Sequence, residues 1–174
     1  MSKDSVLFLY HGDILEDHTN LRGVTENFNW SFLKSAMYNG TKEKLLLLDD
    51  FLSLVNNQKV IFLDIKSYDI FNIEMARKVV NIINKHKLEK TVFVESFNPI
   101  TLGSIRKYGK NILLMYDFTD NIKASEEESQ DQFNRIPWFL KQYWFQKQIR
   151  RIIEPDVLGP RFNFNREVLQ SLVR

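Results

Sequence analysis

Val60-Ile61-Phe62-Leu63-Asp64-Ile65-Lys66 opens with four apolar residues and closes on a carboxylate and a lysine. A strand with one wet face alternates apolar and polar residues, whereas a continuous apolar run suits a strand covered on both faces, as in a parallel sheet. The same design recurs in Thr91-Val92-Phe93-Val94-Glu95-Ser96 and in Asn111-Ile112-Leu113-Leu114-Met115-Tyr116-Asp117. Val6 to Tyr10, ending at His11, reads as a further copy.

Between these runs the apolar spacing lengthens. Ile73, Ala76, Val79, Val80 and Ile83 recur at three and four residues, which predicts an amphipathic helix over 73–87 with Asn72 as its N-cap. Asn98-Pro99 predicts a second helix over 99–108, with Gly109 as a left-handed terminator. Strand and helix alternate at intervals of roughly 20 to 30 residues, the pattern of parallel βα units with right-handed crossovers. Chemistry in such α/β folds collects at the C-terminal ends of strands, so His11, Asp64, Lys66, Ser96 and Asp117 are the first candidates.

Further on, Ser125 and Glu128 fit a capping box, and an aromatic segment runs from Ile136 through Trp138 and Trp144 to Ile153. Its apolar stripe shifts around the helix, which favours a packed barrel helix over docking on a membrane surface. Residues 154–160 read as a short strand or loop, and 165–174 as a last helix.

The 174 residues are 44% hydrophobic with a formal charge of +2, as expected of a soluble domain with one core. The charges are dispersed rather than gathered into a basic stripe, so nucleic acid is not an expected partner. The absence of cysteine excludes disulfides, thiolate zinc sites and cysteine nucleophiles. Val6–Tyr10 is too short for a signal-peptide core, which makes the cytoplasm the expected location.

Taken in order, His11-Gly12-Asp13-Ile14-Leu15 with Thr19, the leucine-rich Leu46–Leu52, Leu63-Asp64-Ile65-Lys66, and Glu95-Ser96-Phe97-Asn98 resemble the later part of the glycerophosphodiester phosphodiesterase signature. The family's motifs there are His-Asp-x-x-Leu with a following Thr, Glu-Ile-Lys and Ser-Phe. The resemblance runs over about residues 6 to 117 and more loosely to 174. It implies a (β/α)₈ barrel that hydrolyses glycerophosphodiesters to glycerol 3-phosphate and an alcohol, using a divalent cation (Ca²⁺ or Mg²⁺) and two histidines. That chemistry needs positive charge on the phosphate and a proton for the leaving alkoxide.

By resemblance, His11 matches the second family histidine, a general acid or base. From the residues alone it reads equally as a strand-end histidine. Asp64 matches the metal-binding Glu of Glu-Ile-Lys with a reach one methylene shorter, and Lys66 matches the family's lysine, a point charge suited to the phosphate; a plain salt bridge from Lys66 to Asp64 or Glu95 is the other reading. Ser96 fits a structural hydrogen-bonding role better than that of a nucleophile. Gly12 departs from the family's Asp, and Asp17-His18 replaces an Arg-Thr pair. The family's His-Arg-Gly and Glu-x-Asp strands have no counterpart before His11, and His18 and His86 sit in a loop and a helix tail. The expectation is therefore one partial barrel domain over 1–174, roughly the middle βα units, with hydrolysis impaired or absent in the chain alone and a lost or weakened metal. A separate N-terminal fragment could complete it. The alternative is a non-catalytic interaction or membrane-surface module that uses a barrel edge or the aromatic helix 136–153.

Overall fold

The computed structural model describes residues 1–12, 14–55, 59–66, 69–118 and 137–160. Asp13, the Ser125/Glu128 capping box and the helix expected over 165–174 lie outside them. In chain order the elements are β1 (Phe8–Leu9), α1 (Trp30–Leu33), β2 (Leu46–Leu47), α2 (Leu48–Leu54), β3 (Ile61–Asp64), α3 (Ile73–Lys85), β4 (Val92–Ser96), α4 (Pro99–Tyr108), β5 (Leu113–Phe118), α5 (Tyr143–Ile153) and β6 (Val157–Pro160).

The three apolar runs form β3, β4 and β5. With β6 they make a parallel sheet in the order β3-β4-β5-β6. Strand order follows chain order and α3, α4 and α5 lie between successive strands, so the architecture is α/β, a partial (β/α) barrel. Leu63, Val92, Val94, Leu114, Tyr116 and Phe118 point to the outer face and are buried in the main core with α3 and α4. The inner face is less covered than the continuous apolar runs predict. Phe62 there is 56% exposed and stacks on Phe93 at 5.2 Å.

Val6–Tyr10 is not another strand of this sheet. Phe8 and Leu9 pair antiparallel with Leu47 and Leu46 in a separate two-stranded ribbon. The run is apolar on both sides because it lies between two clusters. Leu7 and Leu9 reach the main core, whereas Phe8 and Tyr10 pack on a satellite of Leu15, Leu33, Ala36 and Leu45. A third small cluster surrounds Leu140, so the single expected core is one main cluster with two satellites.

Helix punctuation follows the sequence closely. The Asn72 carboxamide oxygen accepts from the Met75 N–H (2.9 Å), and that of Asn98 accepts from the Ile100 N–H (3.0 Å). Met75, Ala76, Val79, Val80 and Ile83 form the buried stripe of α3, but Ile73, in its first turn, is 49% exposed. Gly109 does end α4, though at φ −137° rather than left-handed. It is required for space, because a Cβ there would come within 2.7 Å of Ile112 Cδ1 and 3.0 Å of Val80 Cγ1.

The aromatic segment is not one helix. A 3-10 turn over Trp138–Lys141 precedes an extended Gln142 (ψ 134°), and only then does α5 begin. Leu140, Gln146 and Ile153 face inward, while Trp138 and Trp144 are 73% and 64% exposed. The packed-helix expectation therefore holds for one side of the segment and fails for both tryptophans.

Candidate active site

The inner face carries a row of polar side chains at its C-terminal ends. Asp64 on β3 is registered with Glu95 on β4, which in turn faces Met115 on β5. Asp117 lies two residues beyond Met115 and therefore on the same face, opposite Gly159 of β6. A Cβ on Gly159 would run into the Asp117 carboxyl oxygen and the Met115 side chain, so only glycine leaves room for the Asp117 carboxyl here. Lys66, two residues past Asp64, puts its Nζ 3.1 Å from Asp64 Oδ2.

These charges act on one another. Burial holds the Glu95 carboxyl above the usual carboxylate range; Asp64 adds to the effect and Lys66 opposes it. Asp117 goes further: burial pushes its carboxyl up to about 7, with the charges of Glu95 and Asp64 adding to the rise and Lys66 opposing it.

Leu9, Tyr10 and Gly12 line the same cleft as Leu63, Asp64 and Lys66. The His11 ring does not. It is exposed and lies in an adjoining depression with Asp17, Tyr38, Asn39 and the His18 ring, centroid to centroid 5.8 Å. Gly12 holds φ +119°, a conformation that the aspartate of the family motif would adopt only with strain. The chain thus brings Asp64 and Lys66 together and leaves the His11 side chain beside the cleft rather than in it.

Other motif residues hold the frame. Thr19 Oγ1 donates to the Leu15 carbonyl (2.8 Å) and accepts from the Leu21 N–H (3.2 Å). Ser96 is fully buried; its hydroxyl donates to the Ile65 carbonyl (3.2 Å) and accepts from the Asn98 N–H (3.1 Å), which fixes the loop after Asp64. The Tyr10 hydroxyl donates to the Ile14 carbonyl (2.6 Å), and burial pushes it up to about 12. His86 caps α3 and meets Asp49 at 2.7 Å, away from the cleft. From sequence Glu95 reads only as a strand-end residue and a candidate ion-pair partner of Lys66, Asp117 has no assigned role, and the His18–His11 contact is not visible. The equal two-residue phase of Asp64, Glu95 and Asp117 within their runs was the available signal for the carboxylate row, but it needs the strand register to be used.

The profile of the Glycerophosphoryl diester phosphodiesterase family matches residues 1–174. The chain belongs to this family. No curated protein is similar in sequence. The fold is that of solved glycerophosphodiester phosphodiesterases. The Oleispira antarctica phosphodiesterase, solved with the product sn-glycerol 3-phosphate, aligns at TM-score 0.76 and 15% identity over 99% of this chain and 65% of its own. A Galdieria sulphuraria protein classed with the glycerophosphodiester phosphodiesterases gives 0.73 and 13% over 99% and 64%. One from Parabacteroides distasonis gives 0.55 and 20% over 91% and 56%. The chain therefore spans less than two thirds of the length of these three structures.

Glycerophosphodiester phosphodiesterases are generally dependent on a divalent metal. Hard cations of this kind take six or more oxygen ligands. Among the described residues no group of three His, Asp or Glu side chains is arranged to hold a metal ion, and one Asp64 oxygen already faces the Lys66 ammonium. Those residues do not by themselves fit the cation. Also among them, no helix is long and apolar enough to cross a membrane.

Proposed function

We propose that this chain carries the phosphate-facing part of a glycerophosphodiester phosphodiesterase site and hydrolyses glycerophosphodiesters to glycerol 3-phosphate and an alcohol, at an impaired rate. The supporting observation is the Asp64–Lys66 pair at the C-terminal end of a parallel strand, in a chain that matches the family along its whole length. Lys66 is the cation for the anionic phosphate oxygens, and the Asp64 carboxylate, 3.1 Å from its ammonium, holds it in place. His11, whose ring lies beside the cleft between the lining residues Tyr10 and Gly12, is the residue for proton transfer. A polypeptide bearing the family's His-Arg-Gly and Glu-x-Asp motifs is the partner that this reading calls for.

The test is release of glycerol 3-phosphate from glycerophosphocholine in the presence of Ca²⁺ or Mg²⁺. Slow turnover is expected, falling about 100-fold in Lys66→Ala, the size of effect seen when a group that stabilises transition-state charge is removed. Turnover that survives Lys66→Ala unchanged would refute the assignment.

The exposure of Trp138 and Trp144 favours a second reading, in which the aromatic segment holds a membrane surface. Trp138→Ala with Trp144→Ala is expected to cost less than about 0.5 kcal/mol of stability, as for exposed side chains. Co-sedimentation with anionic liposomes that disappears in this variant supports the second reading; co-sedimentation by neither protein removes it.

A further inference from the structure

The loops that leave the C-terminal ends of the strands, where Asp64 and Lys66 lie, carry large apolar side chains turned to solvent. Phe71 and Ile73 follow β3 and are 61% and 49% exposed; Trp138, Phe139 and Trp144 follow β5 and are 73%, 44% and 64% exposed. From this placement we infer that the site takes a lipid: a glycerophosphodiester whose glycerol carries one acyl chain, with the chain on this apolar rim and the phosphate at Lys66. The inference rests on the phosphodiesterase reading above and gives that same site its substrate class. The aromatic segment then serves the site instead of replacing it.

Local contacts hold the rim at the mouth. The Phe71 N–H donates to Asp69 Oδ1 (2.9 Å), and Asn98 Nδ2 donates to the Ile70 carbonyl (2.7 Å), which ties the loop after β3 to the head of α4. Leu140 packs on Phe97, next after β4, and on Ile100 in the first turn of α4, so the Trp138–Lys141 turn sits at the same end. Its rings brace one another edge to face: Trp138 meets Phe139 at 6.4 Å and 89°, and Phe139 meets Phe145 at 5.8 Å and 89°. At the opposite end, loops 86–91 and 109–112 expose Lys87, Lys90, Lys110 and Asn111 and bury Leu88 and Ile112. Lys147 and Arg151 are exposed three and seven residues after Trp144, on its face of α5, where their charges complement the phosphates of a lipid surface.

Drawing a lipid phosphate to Lys66 lifts part of its chain out of the lipid, and each methylene exposed to water opposes the step. Rings at the mouth cover those methylenes again. One chain makes a smaller demand than two, which favours the monoacyl lipid. The reaction remains a hydrolysis. Water oxygen bonds to phosphorus, and the bond from phosphorus to the alcohol oxygen breaks with its electron pair on that oxygen. A proton of the water ends there, leaving acylglycerol 3-phosphate and the free alcohol.

Lysophosphatidylcholine and glycerophosphocholine share the phosphodiester and the leaving alcohol and differ only in the acyl chain. In the unaltered protein kcat/KM is expected to rise through the hexanoyl, decanoyl and myristoyl lipids, the last exceeding glycerophosphocholine about 10-fold. Phe71→Ala with Trp138→Ala is expected to lower the ratio of kcat/KM on the myristoyl lipid to that on glycerophosphocholine, again about 10-fold. Ile152→Ala, equally apolar and 76% exposed but in the last turn of α5, leaves that ratio unchanged. The chain-length series needs no variant, so it holds whether or not the double variant folds. Turnover of glycerophosphocholine with no gain from the acyl chain, or an equal fall of the ratio in Ile152→Ala, would overturn this inference alone. Turnover of neither substrate would overturn the phosphodiesterase reading, and the inference with it.

Discussion

Arg106→Met is expected to lower stability by about 3–4 kcal/mol, the largest effect of any single substitution considered for this chain. The guanidinium ties the end of α4 to the start of β6. Its Nε donates to the Ile153 carbonyl (3.0 Å) and its Nη1 to the carbonyls of Lys110 and Ile112 (2.8 and 3.1 Å). Its Nη2 donates to the Glu154 carbonyl (2.8 Å) and to Asp156 Oδ2 (3.1 Å). Asp156 in turn accepts from the Leu114 N–H (2.8 Å), so the network ends on β5. Hydrogen bonds from a charged donor contribute roughly 1.5–3 kcal/mol each, but these five share one side chain that is 22% exposed, so they do not add in full. Methionine keeps the apolar stem and leaves the carbonyls of Ile153 and Ile112 without this donor. Glu154, which ends α5 at φ +49°, loses the clamp that holds its strained backbone. For a chain of this length the loss corresponds to a fall in Tm of about 10 °C. A shift below about 3 °C would mean that the β5–β6 pairing holds the corner without Arg106.

The second large effect is a pH dependence centred on Asp117. Its carboxyl is pushed up to about 7 from an ordinary 3.8, chiefly by burial. The folded state therefore binds the proton more tightly than the unfolded chain does. Stability from this group is fully present below about pH 4 and is lost as pH rises through about 7. Asparagine carries no such proton, so Asp117→Asn should match the unaltered protein at pH 4 and exceed it at pH 8. Three pH units would give about 4 kcal/mol in full, and partial solvent access reduces the expectation to about 2 kcal/mol. Urea unfolding of both proteins at pH 4 and pH 8 measures it. A difference that does not change with pH would show that Asp117 titrates as an ordinary surface carboxylate.

Much of the fold could be read in the chain because its signals are local. The runs at 60–66, 91–96 and 111–117, the Asn72 and Asn98 caps and Pro99 each act through neighbouring backbone, and they delivered the parallel strands and both central helices. The features that were not legible are those set by distant partners. Val6–Tyr10 has the composition of a parallel strand, yet pairs antiparallel with Leu46–Leu47 because two clusters flank it. Gly109 is glycine for want of room beside Val80 and Ile112, which no local rule reveals. The exposure of Trp138 and Trp144 depends on the break at Gln142.

The site divides the same way. Asp64 and Lys66, two residues apart on one strand end, could be paired from sequence and meet at 3.1 Å. His11 was legible as a motif, but the place of its ring, beside His18 and outside the cleft, was not. Asp117 needed the register with Gly159 before its place on the inner face could be read.

The central claim is that the inner face of this parallel sheet is a phosphate site organised around Lys66. Backbone amide NMR of the labelled chain titrated with sn-glycerol 3-phosphate tests it directly. The account predicts saturable shifts at Asp64, Ile65, Lys66, Glu95, Asp117 and Gly159 that vanish in Lys66→Ala. Shifts confined to the Trp138–Trp144 segment or to the far end of the sheet, or shifts unchanged by Lys66→Ala, would contradict it.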